Sequence, residues 1–417
     1  MATNTPSRSV YAYDIETLKS YFSCAFINVD SQEKWFFEVY EVKDYTINQV
    51  IPLLSFLKTC QGLIGYNNLC FDYPILHRLL ENERKVITMS IKDLLKYIYG
   101  LAQSLIDNQS KFKTKIPEKD CKIPQLDLLE MNYFNSKARF VSLKQLEFVM
   151  RYPNVQDMPY KHDIIIENQE QAKEIADYNF NDVDATLKFY HSCEKAIKLR
   201  KDLSKQYGIN MLNHSDTNLG KEAFAYELTR DMGITRQELN KMGTPREIID
   251  VGKEVLLPMI EFKTEGFKAL LEFYKLQKID TLKGFFKDIK KDRPGYNLIK
   301  EFSSSDNIKK NGTLEALAIK FKNHTYVYGN GGIHSHFKGK IVKACDKYCL
   351  LDVDVSSYYP NLSILFGFKP EHLGEVFMKI YKSIYKMRLD FPKGTVENAI
   401  AKLMLNSSYK RHSRLLS

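Results

Sequence analysis

The stretch Gln171–Lys201 contains neither Gly nor Pro. Its apolar residues recur at helical spacing, which predicts one long helix. At 100° per residue, Asp182 falls about 40° from Tyr178, and Ile175, Phe189 and Ala185 stand within about 60° on the same arc. Asp177 and Asp184 point elsewhere. An acid therefore lies inside the apolar stripe, where an unpaired charge is costly. Whatever the chain folds into must bring Asp182 a partner, and a metal ion would serve.

The segment before this helix alternates strand-like and helix-like runs. Ser9 to Ile27 reads as strand, turn and strand, and Trp35 to Val42 as a third strand. Gln49 to Leu57 looks helical. Gln61 to Tyr66 reads as a short buried strand, and a helix follows from about Asp72 to Glu83. This alternation predicts an α/β sheet domain. Asp14 and Glu16, in VYAYDIET, are two apart on the first strand and so share a face. Two such carboxylates suit a hard divalent cation, Mg²⁺ or Mn²⁺. Asp72 sits where a strand hands over to a helix with Pro74 in its first turn, also the usual place of a capping Asp.

At 417 residues the chain is too long for one ordinary domain. Three parts are expected: 1–200, a sheet domain; 201–325, a basic and mostly helical connecting region; and 326–417. In the last, a Gly-rich turn follows Tyr326, a strand spans Tyr348 to Val355, and helices close it. Pro117 to Pro124 and Ser303 to Asn311 read as surface connections. The 44% apolar and 27% charged content excludes wholesale disorder. Seven scattered cysteines with no C-x-x-C pair argue against a disulfide framework or structural zinc, and fit reduced thiols in a cytosol-like compartment. The N-terminal MATNTPSRSV has no apolar run, and no stretch is long and apolar enough for a membrane span. The formal charge of +10 permits a polyanionic partner. KGFFKDIKKDR (283–293) is the densest basic stretch, either a solvated face or a phosphate-tracking surface.

Taken in order, D-x-E on the first strand, N-x-x-F-D at a helix start and Y-x-x-x-D on a later helix resemble the three exonuclease motifs of family B DNA polymerases. The wider DEDD class of 3′→5′ exonucleases shares the four acids. The resemblance implies an RNase H-like domain with two metal ions bound by Asp14, Glu16, Asp72 and Asp182, and Tyr178 orienting the attacking water. The family's Asn matches Asn68 at this spacing, or Asn67 under a longer variant. Ser142-Leu143-Lys144-Gln145-Leu146 resembles the motif that holds a single-stranded primer end. With it, Thr17, Asn68, Phe71, Ser142 and Leu143 would line the strand cleft.

LLDVDVSSYYPNLSI (350–364) resembles motif A of the same family, with Asp354, Ser357, Tyr359 and Pro360 in place and Tyr358 where a Leu is usual. The resemblance makes Asp354 a ligand of the polymerase metals and Tyr359 the ring that blocks a ribose 2′-OH. KLMLNSSY (402–409) resembles motif B, with Lys402, Asn406 and Tyr409 on one helix face to meet the incoming deoxynucleoside triphosphate; Lys410 replaces the usual Gly. YGNGG (328–332) resembles the turn between the exonuclease and polymerase parts, with one extra residue. A motif C carrying a second polymerase Asp is not matched. The expectation is the N-terminal part of a phage-type family B DNA polymerase, with an exonuclease domain, a basic helical region and an incomplete α+β palm and fingers. Exonuclease action is expected of it and synthesis is not. It would work on DNA inside a host cell, on a single-stranded 3′ end and a primer–template. The alternatives are a free-standing DEDD exonuclease and an inactive DNA-binding truncation product.

Overall fold

The computed structural model describes residues 9–107, 115–133, 140–245, 247–280, 284–322, 324–329, 332–335, 341 and 343–410, with 408–410 described by their backbone alone. They form two compact units. One holds the described residues up to Arg236 together with those from Glu375 onward, and the other is Gln237–Gly374. The boundaries expected from the sequence stood instead at 200 and 325.

The first unit is built on a six-stranded mixed sheet in the order β4-β3-β2-β1-β5-β6. β1 (Val10–Leu18), β2 (Tyr21–Asn28), β3 (Lys34–Val42) and β4 (Tyr45–Asn48) form an antiparallel meander, and β5 (Gly62–Gly65) and β6 (Gln125–Asp127) add parallel strands. The period-2 pattern of β1 decides what lies on each face. Tyr11, Tyr13 and Ile15 join Phe22 and Phe26 in a core with α1 (Val50–Leu57), α2 (Asp72–Glu81) and α3 (Ile91–Asp107). Ala12, Ala25, Ile27 and Ile64 face the other way and pack on Val183, Leu187 and Phe189 of α5 (Gln169–Ser192). Each Leu or Phe so buried contributes about 1.5–3 kcal/mol before chain entropy is subtracted. Between the two lies α4 (Leu143–Val149), whose Leu146 joins the second core.

The expected single helix from Gln171 to Lys201 is two helices, α5 and α6 (Glu194–Tyr207). Cys193 parts them at φ −94° and ψ 2°, with its N–H directed to the carbonyls of Phe189 and Tyr190. Its side chain is buried in the core that α5 shares with the sheet. Helix α7 (Asp216–Met232) follows, and α8 (Gly374–Asp390) and α9 (Val396–Lys410) return to this unit from far along the chain. Helix α7 packs on α9 at Gly220, where a Cβ would lie 2.3 Å from the Leu403 carbonyl oxygen.

The second unit has its own core, in which Leu270 and Phe273 of the helix Glu265–Lys275 meet Ile289, Tyr296, Leu314 and Ile319. Its strands are short. β7 (Ile249–Asp250) pairs with β8 (Lys278–Ile279), β9 (Lys287–Ile289) with β10 (Leu314–Ala316), and β11 (Ala318–Phe321), β12 (His324–Gly329) and β13 (Gly332–Ser335) make a meander. The region 201–325 thus carries short strands as well as helices. The expected strand Tyr348 to Val355 does not form. Leu351 and Val353 are 82% and 84% exposed, and no described strand pairs with this stretch. A strand needs neighbours for its backbone groups and a face to bury; here only Tyr348 makes an isolated bridge, to Cys345, and Leu351 and Val353 stay exposed. No helix among the described residues is long and apolar enough to cross a membrane.

Two helical glycines test the packing. Gly220→Ala adds helix propensity but forces a methyl group into the Leu403 backbone, so it should lower stability to urea by about 1–3 kcal/mol. In α3, a Cβ added at Gly100 would have no neighbour within 4 Å, so Gly100→Ala should raise stability by about 0.5–1 kcal/mol. Equal shifts of the urea midpoint in the two variants would refute the close α7–α9 contact.

Candidate metal centre

β1 delivers the first two acids: Asp14 and Glu16 lie on the strand face that α5 covers. From α5, one turn apart, come Tyr178 and Asp182. One carboxylate oxygen each from Asp14, Glu16 and Asp182 lies within 4.8 Å of the others. Asp72, the first residue of α2, stands outside this trio, yet its charge raises the pKa of both Asp14 and Glu16. It is buried, and its carboxylate accepts from its own N–H and that of Ile15. So a strand, a helix start and a facing helix bring together the four acids named from the sequence.

Loss of hydration, followed by the neighbouring negative charges, holds Asp14 and Glu16 well above the usual carboxylate range. Burial likewise pushes Asp72 up to about 7 and Asp182 up to about 6. On Asp182 the Tyr178 hydroxyl and then the Lys144 ammonium pull the other way. The Tyr178 hydroxyl itself is driven above its ordinary value, first by burial and then by Asp182 and Glu16. It keeps its proton at neutral pH and acts as a donor, not a base. Hard oxygen ligands in a crowded, mutually repelling set are what a Mg²⁺- or Mn²⁺-sized ion requires, so these residues fit such a site.

Two supporting residues carry no sequence motif of their own. Asn179 is fully buried; its Nδ2 donates to Asp14 Oδ2 at 2.8 Å, and its Oδ1 accepts from Ser23 Oγ at 3.2 Å. The only signal for it is a poor helix former directly after Tyr178. Lys144 holds its Nζ 5.4 Å from the centre of the Tyr178 ring and also pairs with the exposed Asp157 at 2.7 Å. Its place in the first turn of α4 follows from the capping box of Ser142 and Gln145, in which Ser142 Oγ accepts from the Gln145 N–H at 3.2 Å.

The remaining residues named from the sequence fall in several places. Thr17, Phe71, Ser142 and Leu143 are partly exposed in the first unit. Asn68 is fully buried, with its Nδ2 on Gln125 Oε1 at 2.9 Å and its Cβ 2.5 Å from where a Cβ on Gly65 would stand. Asn67 is partly exposed, at φ 65°. Of the two, Asn67 is the more exposed. Asp127 fixes this turn: its carboxylate accepts from the N–H groups of Asn67, Leu69, Leu129 and Glu130 at 3.0–3.2 Å. Lys402 and Asn406 lie on α9 of the first unit, while Asp354 and Tyr359 are exposed in the second. The side chain of Tyr409 lies outside the described residues, as does Gly331. Among the described residues no other group of three ligand side chains has this spacing.

Acids with raised pKa make stability depend on pH in a definite direction. Between about pH 4, the ordinary carboxylate value, and about 7, the value of Asp72, the folded state binds more protons than the unfolded one. Its stability without metal should therefore fall as pH rises through that window. Divalent ions compete with those protons, so Mn²⁺ should raise the melting temperature more at pH 7.5 than at pH 5. Melting curves at several pH values, with and without Mn²⁺, check this. A metal-free melting temperature that climbs from pH 5 to 7, or a Mn²⁺ effect that does not grow with pH, would overturn it.

No protein-family model matches the chain, and no curated protein matches it. Among solved structures, the family B DNA polymerase from the hyperthermophilic archaeon Pyrobaculum calidifontis is similar over 96% of this chain and 46% of that one, at 11% sequence identity and a TM-score of 0.39. This chain therefore spans less than half of that polymerase's length.

Proposed function

We propose that the first unit is a two-metal 3′→5′ exonuclease that shortens single-stranded DNA, with an RNase H-like sheet, in a chain of the family B DNA polymerase type. The observation that carries this is the convergence of Asp14, Glu16 and Asp182 within 4.8 Å from a strand and its covering helix, with a protonated Tyr178 beside them. The sheet order, with an antiparallel meander on one side of β1 and parallel strands on the other, supports the same reading.

Asp14, Glu16, Asp72 and Asp182 would hold two Mg²⁺ or Mn²⁺ ions, which when bound stabilise the attacking and leaving oxygens of the phosphodiester. Tyr178 donates a hydrogen bond that orients the attacking water. Asn179 fixes one oxygen of Asp14 and leaves the other for a ligand role. Lys144 places a positive charge where negative charge grows on the phosphate. Thr17, Asn67, Phe71, Ser142 and Leu143 would guide the strand. Asp354, Tyr359, Lys402, Asn406 and Tyr409 belong to the polymerase reading, in which primer–template and deoxynucleoside triphosphates are the partners. That reading rests on motif resemblance, whereas the exonuclease reading also rests on an assembled site.

Purified chain with Mn²⁺ should release mononucleotides from the labelled 3′ end of single-stranded DNA. Asp14→Ala and Asp182→Ala should each abolish release, and Tyr178→Phe should slow it roughly 10²-fold. Persistence of the wild-type rate in both Asp variants would remove the assignment. Cleavage inside a circular strand would instead make the enzyme an endonuclease.

A further inference from the structure

Glu147 lies on α4, three residues after Lys144, so the two side chains share a face of the helix. It is 1% exposed, and neither Oε1 nor Oε2 has a hydrogen-bond partner among the described residues. The acids of the centre are treated differently: Asp14 has Asn179, Asp72 has the Ile15 N–H, and Asp182 has Tyr178. Buried carboxylates are rarely left without a donor, because the lost hydration is then uncompensated. The charges that act on Glu147 are those of Asp182, which repels it, and Lys144, which attracts it. Glu147 therefore lies near enough to Asp182 and Lys144 to interact with both charges, with two buried oxygens that have no donor.

Glu147 is not among the three acids whose oxygens lie within 4.8 Å of one another. An ion held by that trio alone does not have Glu147 among its ligands. A carboxylate one layer further out has another use: it accepts hydrogen bonds from the hydration water of a divalent ion and fixes that water's orientation. Two unpaired, buried acceptor oxygens on the helix face shared with Lys144, which stands beside Tyr178, match this use, and no other described group of the unit supplies them with donors.

We propose that Glu147 is a fifth carboxylate of the divalent-cation site, acting through the hydration water of the ion nearest Asp182. The inference rests on reading Asp14, Glu16, Asp72 and Asp182 as a metal centre. It makes Glu147 a positioning residue whose first effect is on metal affinity.

The test is Mn²⁺ binding to the full chain, followed by electron paramagnetic resonance, with melting temperature measured in parallel. Glu147→Gln keeps the shape and removes the charge, and it should weaken the affinity for one ion by roughly 10–100-fold. Glu147→Asp keeps the charge but withdraws it, and should give an intermediate loss; it also carries the test if Glu147→Gln does not fold. A wild-type chain that binds Mn²⁺, with variants that match it in affinity and stoichiometry, would overturn the inference alone. Glu147 would then be only a counter-ion of Lys144, and the melting temperature would be all that moves. A wild-type chain with no saturable Mn²⁺ binding would overturn the metal centre as well.

Discussion

Like charges held close together are the constraint on which the first unit depends. Burial raises the pKa values of all four acids, and the charges of Asp72 and Asp182 raise those of Asp14 and Glu16 further. A flexible scaffold would let them part. Here β1 is hydrogen-bonded on both sides, to β2 and β5, and packed on both faces. The aromatic core under Tyr11 and Tyr13 and the aliphatic core under Ala12 hold the strand from opposite sides. The repulsion is thus stored against two hydrophobic cores, which makes the set ready for cations without rearrangement.

Asp127 does comparable work for the turn that leads to Asp72. Four backbone N–H groups converge on its carboxylate, two from the turn after β5 and two from the short helix Leu128–Met131. Its own N–H is held by Asn213 at 2.8 Å. Through these bonds the ends of two parallel strands and the start of α2 keep one geometry. The buried amide of Asn68 completes the arrangement by linking to Gln125 on β6. Of the two Asn residues that the resemblance offers, Asn68 is thus taken up by packing inside the unit.

What could be read in the sequence follows the range of the interactions. The shared face of Asp14 and Glu16 is a consequence of period 2, and the inward turn of Asp182 a consequence of 100° per residue; both are local rules. The break at Cys193 was not legible, because no Gly or Pro marks it in the sequence. The roles of Asn179 and Glu147 depend on residues far away in sequence, Ser23 and Asp14 for one and Asp182 for the other. Lys144 lies inside the S-L-x-x-L motif, but its nearness to Tyr178 required α4 and α5 to be placed. The strand expected at Tyr348–Val355 had the right composition but pairs with no described strand beyond the isolated bridge of Tyr348 to Cys345.

The close fit of α9 against Gly220 bears on how the chain matures on the ribosome. The first unit is interrupted: residues through Arg236 are made, then all of Gln237–Gly374, and only then the two helices that complete it. Until Leu403 emerges, the buried side of α7 has no cover from α9. The nascent sheet can form early, since its strands all precede α5, but the unit cannot close until α9 has been synthesised. Slow translation through the second unit would lengthen the interval during which that apolar surface is open to chaperones or to neighbouring nascent chains.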